Sequence, residues 1–179
     1  MNVEGSEAIV LIPGGYPVWI DVPQASIGGE GTSMRFDLPL HAHNLPLLHR
    51  HETKLVVALK GELDVRAGRQ RIAFLREGEA VKLDPGVAHR IHQHGSRPSI
   101  VGAVLWPGAV EAAFRQLAAV ISEGVYQRQL MIEMLAGYGV TWTNQPVELY
   151  QPVCKVLPFR EWLGELPSAL ARQLEHKWA

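Results

Sequence analysis

Up to about Trp106 the chain is a succession of short apolar stretches that never lengthens into a helical pattern, and nothing else in it limits the fold so tightly. The stretches are "AIVLI", "VWIDV", "TSMRFDL", "KLVVAL", "ELDVRA", "QRIAFL", "EAVKL", "AHRIHQ" and "SIVGAVLW". Between them lie "PGG", "GGEG", "KG", "AGR", "REG" and "DPG", which are rich in residues that tolerate turn geometry. Many short strands at regular spacing, with no helix-period segment between them, predict an all-β barrel or sandwich.

After "LWPG" the period changes. Val110, Phe114, Leu117 and Ile121 fall on one face of a helix, with Glu111, Arg115 and Gln116 elsewhere on it. A second helix is expected from about Val125 to Leu135, with "GYG" as its stop signal. Trp162, Leu166, Leu170, Leu174 and Trp178 recur every fourth residue, but Pro167 and Ser168 interrupt that ladder. The last helix is therefore expected from about Ser168 onward. With no internal repeat and no low-complexity linker, the 179 residues read as one domain: a barrel over 1–106 and a helical extension over 107–179.

Several function classes are disfavoured at once. A formal charge of -1 gives no electrostatic case for binding nucleic acid. The late helices lack a basic face, and no helix-turn-helix follows the strands. No segment approaches the roughly 18 uninterrupted apolar residues of a membrane span. The N-terminal "MNVEGSEAIVLIPGG" lacks the basic region of a signal peptide, so a cytoplasmic protein is expected. Cys154 is the single cysteine, which rules out an intrachain disulfide or a thiolate cluster, and it reads as a small packed side chain.

The histidines are unevenly placed. Of eight, six lie between positions 41 and 92, His94 follows at once, and only His176 lies elsewhere. His49 and His51, one residue apart, stand at the mouth of the apolar run that ends at Gly61. On a regular strand, period-two alternation aims both imidazoles the same way.

The stretch "LLHRHETKLVVALKGELDV" resembles the first motif of the cupin superfamily, a His-x-His pair, a glutamate, six residues and a glycine. "GEAVKLDPGVAHRIHQ" resembles the second: Gly78 opens it, Asp84 stands in a proline slot, Gly86 and His89 match, and Gln93 replaces asparagine. The segment "LWPGAVEAAFRQLAAVISEG", with "LAGYGVTW" after it, looks like the tail of small free-standing bacterial cupins. The resemblance implies a cupin β-barrel (double-stranded β-helix) with C-terminal helices and a homodimer. It also implies one divalent transition metal, iron, zinc, nickel, copper or manganese, held inside the barrel by histidines. Neutral imidazoles suit such an ion, and open positions opposite them would take water or substrate.

One residue departs from the pattern. Counting back from Gly61 puts Lys54 in the slot of the glutamate ligand, and the loop after His51 is one residue short. A protonated lysine cannot ligate and would repel a divalent cation. Three arrangements stay open: a metal on His49, His51 and His89, which is the favoured one; Glu52 as a substitute ligand through a shifted loop; or no metal. His41 and His43 are read as a solvated strand end, with a pocket rim or a further ligand as the other reading. His92 and His94 are expected to face outward and Gln93 inward, while Glu52, Glu62 and Asp64 read as hairpin surface charges.

Two classes of function follow. One is a metal-dependent enzyme acting on a small organic substrate, with an oxygenase of the quercetin-dioxygenase type first and a cyclase or isomerase next. Lys54 would there neutralise a developing oxyanion or act as an acid or base. The other is a metabolite-binding protein without a catalytic metal, in which Lys54 pairs a ligand carboxylate.

Overall fold

The structure is a computed structural model that describes residues 1, 3–12, 15–124, 126–142 and 152–179. In chain order its elements are β1 (Glu7–Val10), β2 (Pro17–Val22), β3 (Thr32–Leu38), β4 (Leu47–His49), β5 (Thr53–Lys60), β6 (Glu62–Ala67), β7 (Gln70–Leu75), β8 (Glu79–Leu83), β9 (Arg90–His94) and β10 (Ser99–Trp106). Then come α1 (Val110–Ser122), α2 (Arg128–Gly137), β11 (Val140–Trp142), β12 (Val156–Pro158), α3 (Phe159–Trp162) and α4 (Ser168–Trp178). The expected strands "TSMRFDL", "ELDVRA", "QRIAFL", "EAVKL" and "SIVGAVLW" coincide with β3, β6, β7, β8 and β10. Pro13 and Gly14 of the expected "PGG" turn, and Val125 at the expected start of the second helix, lie outside the described residues.

Eight strands, β3 to β10, make the barrel. One sheet carries the order β3-β10-β5-β8, extended by β2 and β1 at one side and by β12 at the other. The facing sheet has the order β7-β6-β9, and β4 joins it through the antiparallel bridge between Leu47 and His89. All pairings between these strands are antiparallel. The chain passes back and forth between the two sheets, with β6 and β7 as a hairpin within one of them, and this order produces a double-stranded β-helix. The extension is not purely helical, as the sequence led us to expect. It returns two strands to the barrel: β11 pairs β4, with Val140 opposite His49, and β12 pairs β8. Both are three residues long, too short to show a period.

β5 explains why "KLVVAL" is apolar without interruption. Val56 and Ala58 face the barrel core with Leu63, Val65 and Val81. Leu55 and Val57 face the other way and pack beneath Trp162, Leu166, Leu170 and Leu174. A strand covered on both faces has no place for alternating polar residues. The C-terminal ladder is thus covered by its own barrel, and burying each leucine contributes about 2–3 kcal/mol. Gly61 turns β5 into β6 at φ +73, where a side chain would be strained and its Cβ would lie 2.7 Å from Ser99 Oγ.

Candidate functional site

The site forms where β4 ends and β5 begins. β4 stops at His49, and the Arg50 amide donates to the Gly139 carbonyl at 2.9 Å, just before β11. Only three residues then remain to reverse the chain into β5, so it bends at Arg50 and His51 and alternation fails. His51 is exposed, and its ring covers Gly139 so closely that a Cβ there would lie 2.7 Å from His51 Cδ2. Glu52 swings inward instead and is buried. The surface reading of Glu52 is therefore corrected, as is the shared orientation of His49 and His51. The short loop causes both.

Glu52 is fully engaged. One carboxylate oxygen accepts the Val110 backbone N–H at 3.0 Å, at the first residue of α1, where the helix dipole favours a negative charge. The other lies 3.1 Å from His49 Nδ1. A carboxylate can only accept, so Nδ1 carries the proton and Nε2 keeps its lone pair. Burial lowers the His49 pKa, the Glu52 hydrogen bond works against that, and the charge of Lys54 lowers it further.

Lys54 points into the barrel in phase with Val56 and Ala58. It is 6% exposed, and its Nζ lies 3.0 Å from Nε2 of buried His89. His89 Nδ1 lies 3.0 Å from the Val87 carbonyl, which can only accept, so this imidazole is protonated at Nδ1 and takes the ammonium N–H at Nε2. Burial, followed by the charge of Lys54, holds the His89 pKa well below its ordinary 6.5. Burial also brings Lys54 down to about 8, with nearby Glu52 acting in the opposite direction. The glycine of the second motif ties the two histidine segments together: Gly86, at φ +85, donates its N–H to the His49 carbonyl at 2.7 Å.

His49 and Lys54 open onto a cavity of about 230 Å³. Its wall is mostly apolar, with Met34, Phe36, Leu38, Leu47, Leu105 and Phe114 among its residues. Met34, Phe36 and Leu38 form the period-two face of β3, a signal legible in "TSMRFDL" that the histidine motifs overshadowed. Phe114 reaches the cavity from α1. The site is an apolar chamber with one buried ammonium and one basic imidazole nitrogen in its polar part.

The remaining candidates are placed as follows. His41 is exposed at φ 62. His43 is exposed but lines the cavity, and its ring lies 5.4 Å from that of His92. His94 faces solvent and Gln93 is buried. Gln93 is not a cavity ligand, because its amide holds the backbone: Oε1 accepts the His41 N–H, and Nε2 donates to the carbonyls of His94, Gly95 and Arg97. Asp64 is buried, against the surface reading, because Arg66 and Arg71 cover its carboxylate.

These residues do not fit the expected metal. His51 is turned away, His89 Nε2 is hydrogen-bonded to an ammonium, and Glu52 is held by His49 and Val110. Among the described residues no three histidine, cysteine, aspartate or glutamate side chains converge to hold an ion.

No family model matches the chain, and no curated protein matches it. Solved structures do. It is similar to a predicted oxalate decarboxylase from Thermotoga maritima, with 20% identity over 59% of this chain and 98% of that one, TM-score 0.49. It is also similar to the polyketide cyclase RemF from Streptomyces resistomycificus, with 12% identity over 60% and 78%, TM-score 0.48. A third is an RmlC-like cupin from Shewanella frigidimarina, with 17% identity over 60% and 89%, TM-score 0.47. The strand order itself defines the architecture. The chain has the double-stranded β-helix fold. Among the described residues no helix is long and apolar enough to cross a membrane.

Proposed function

We propose that this chain is a cupin that binds a small, largely apolar organic acid inside the barrel without a metal, Lys54 supplying the positive charge an ion would supply. The observation that carries the reading is the 3.0 Å contact of Lys54 Nζ with His89 Nε2 beside an apolar cavity. A buried ammonium such as that of Lys54 attracts a carboxylate far more strongly than one at the surface. The apolar wall takes the rest of the ligand and provides most of its burial. An oxygenase, cyclase or isomerase built on three histidines needs His51 to join His49 and His89, and the bend at Arg50 holds it outside.

The test uses phenylacetate, an acid with an apolar body, titrated calorimetrically into protein dialysed against a chelator. Saturable binding that disappears in Lys54→Met supports the reading. Equal binding by wild type and Lys54→Met contradicts it.

We further propose a homodimer. Among the described residues β1 pairs with β2 alone, and Val10 on it is 37% exposed, so its free edge can take a strand from a second copy. The apolar C-terminal ladder is buried within the chain and offers no second interface. Sedimentation of a monomer at micromolar concentration would count against pairing.

A further inference from the structure

We propose that Lys54 is a nucleophile as well as an anchor, forming a reversible imine with a small apolar aldehyde or ketone that enters the cavity. The inference rests on the metal-free reading above and deepens it by naming a carbonyl carbon as the atom Lys54 meets. Three observations converge on it. Lys54 is the one lysine among the lining residues of the cavity, so a ligand held by the apolar wall presents its polar end to this amine. The side chain is buried, and an amine removed from water loses the hydration that favours its unreactive ammonium form. Finally, His89 Nε2 lies 3.0 Å from Nζ with its lone pair facing it, because Nδ1 is fixed as a donor to Val87.

The chemistry balances on these two residues. His89 Nε2 accepts a proton from the Lys54 ammonium, and the freed Nζ lone pair attacks the carbonyl carbon. One N–C bond forms, and the C=O electron pair moves to oxygen. That oxygen takes a proton from His89, giving a carbinolamine. Nζ then gives up a second proton through His89 to the departing hydroxyl, which leaves as water, and the C=N bond closes. No oxidant, reductant or metal takes part, and hydrolysis reverses every step. The apolar wall slows that reversal by limiting the water that reaches the bond.

The experiment incubates the full chain with hydrocinnamaldehyde and cyanoborohydride, which reduces an imine to a stable secondary amine. Peptide mass mapping then reads the adduct at each lysine: Lys54, Lys60, Lys82, Lys155 and Lys177. At one equivalent of aldehyde, Lys54 is expected to carry several-fold more adduct than any other lysine. Lys54→Arg, which keeps the charge but has no amine to form the imine, should lower total lysine labelling to the level of the other four. His89→Gln should slow labelling at Lys54 while leaving the others unchanged. Labelling spread evenly over the lysines, or confined to the four outside the cavity, overturns the inference. The failure modes are separable: phenylacetate binding without aldehyde trapping at Lys54 overturns the imine and leaves the pocket reading intact. Loss of both overturns the pocket reading.

Discussion

At the scale of single residues, Lys54 sets the character of the site. An ammonium at this depth costs stability, since bringing its pKa from 10.5 to about 8 corresponds to about 3 kcal/mol favouring the neutral form. Methionine fills similar volume without charge, although it leaves His89 Nε2 without its donor, at about 1–2 kcal/mol. The first effect is larger. Lys54→Met is therefore expected to raise the midpoint of urea unfolding while abolishing phenylacetate binding. The sign of the pH dependence is fixed by the same shift. An organic anion needs the ammonium, so affinity should fall as pH rises through about 8, well below the range where a surface lysine titrates. His89 contributes in the acid range. Its folded pKa lies well below 6.5, so below pH 6.5 the unfolded chain binds the extra proton and stability falls as pH drops. A ligand affinity flat from pH 7 to pH 10 would show that Lys54 does not hold the anion. Lys54 was legible in the sequence as the residue out of place, by counting back from Gly61. The inward swing of Glu52 was not, because it depends on how few residues lie between β4 and β5.

At the scale of elements, the strands were legible wherever a stretch met one of two conditions: alternation, as in β3, or a run covered on both faces, as in β5. β4, β11 and β12 were missed because three residues carry no period, and the tertiary partner alone makes them strands. α1 was legible from Val110, Phe114 and Leu117, which do face the core, Val110 and Leu117 buried and Phe114 packed against them. α4 followed from its leucines, but the surface they cover was not evident, and this decides what they do. They seal the outer face of the sheet whose inner face carries Lys54. Leu170→Ala removes a fully buried side chain and should cost about 2–5 kcal/mol. Because that cavity would open on the far side of β5, phenylacetate affinity should change little at temperatures where the variant is folded. Urea unfolding together with calorimetric titration checks both statements, and an affinity loss matching that of Lys54→Met would show that the two faces of β5 do not act independently.

At the scale of the whole molecule, the barrel brings residues from β3, β4 and β5 to one apolar chamber, and the loop before β9 sets His89 against Lys54. The paired motifs, His49 to Gly61 and Gly78 to Gln93, were sufficient to imply that barrel, because their glycines sit where the chain must turn. They were not sufficient to define the site's chemistry. A motif specifies spacing, and here the loop one residue short of it turns His51 outward, leaving one lysine and a Glu52–His49 pair in the barrel. The C-terminal extension contributes to that outcome: Gly139 and β11 hold the end of β4 and leave His51 on the outside. The most direct measurement is elemental analysis of protein purified without a histidine tag, made in parallel with phenylacetate titration of the same sample. Far less than one transition-metal ion per chain is expected, with full, chelator-insensitive binding. One ion per chain, lost together with ligand binding in His49→Ala and His89→Ala, would contradict it.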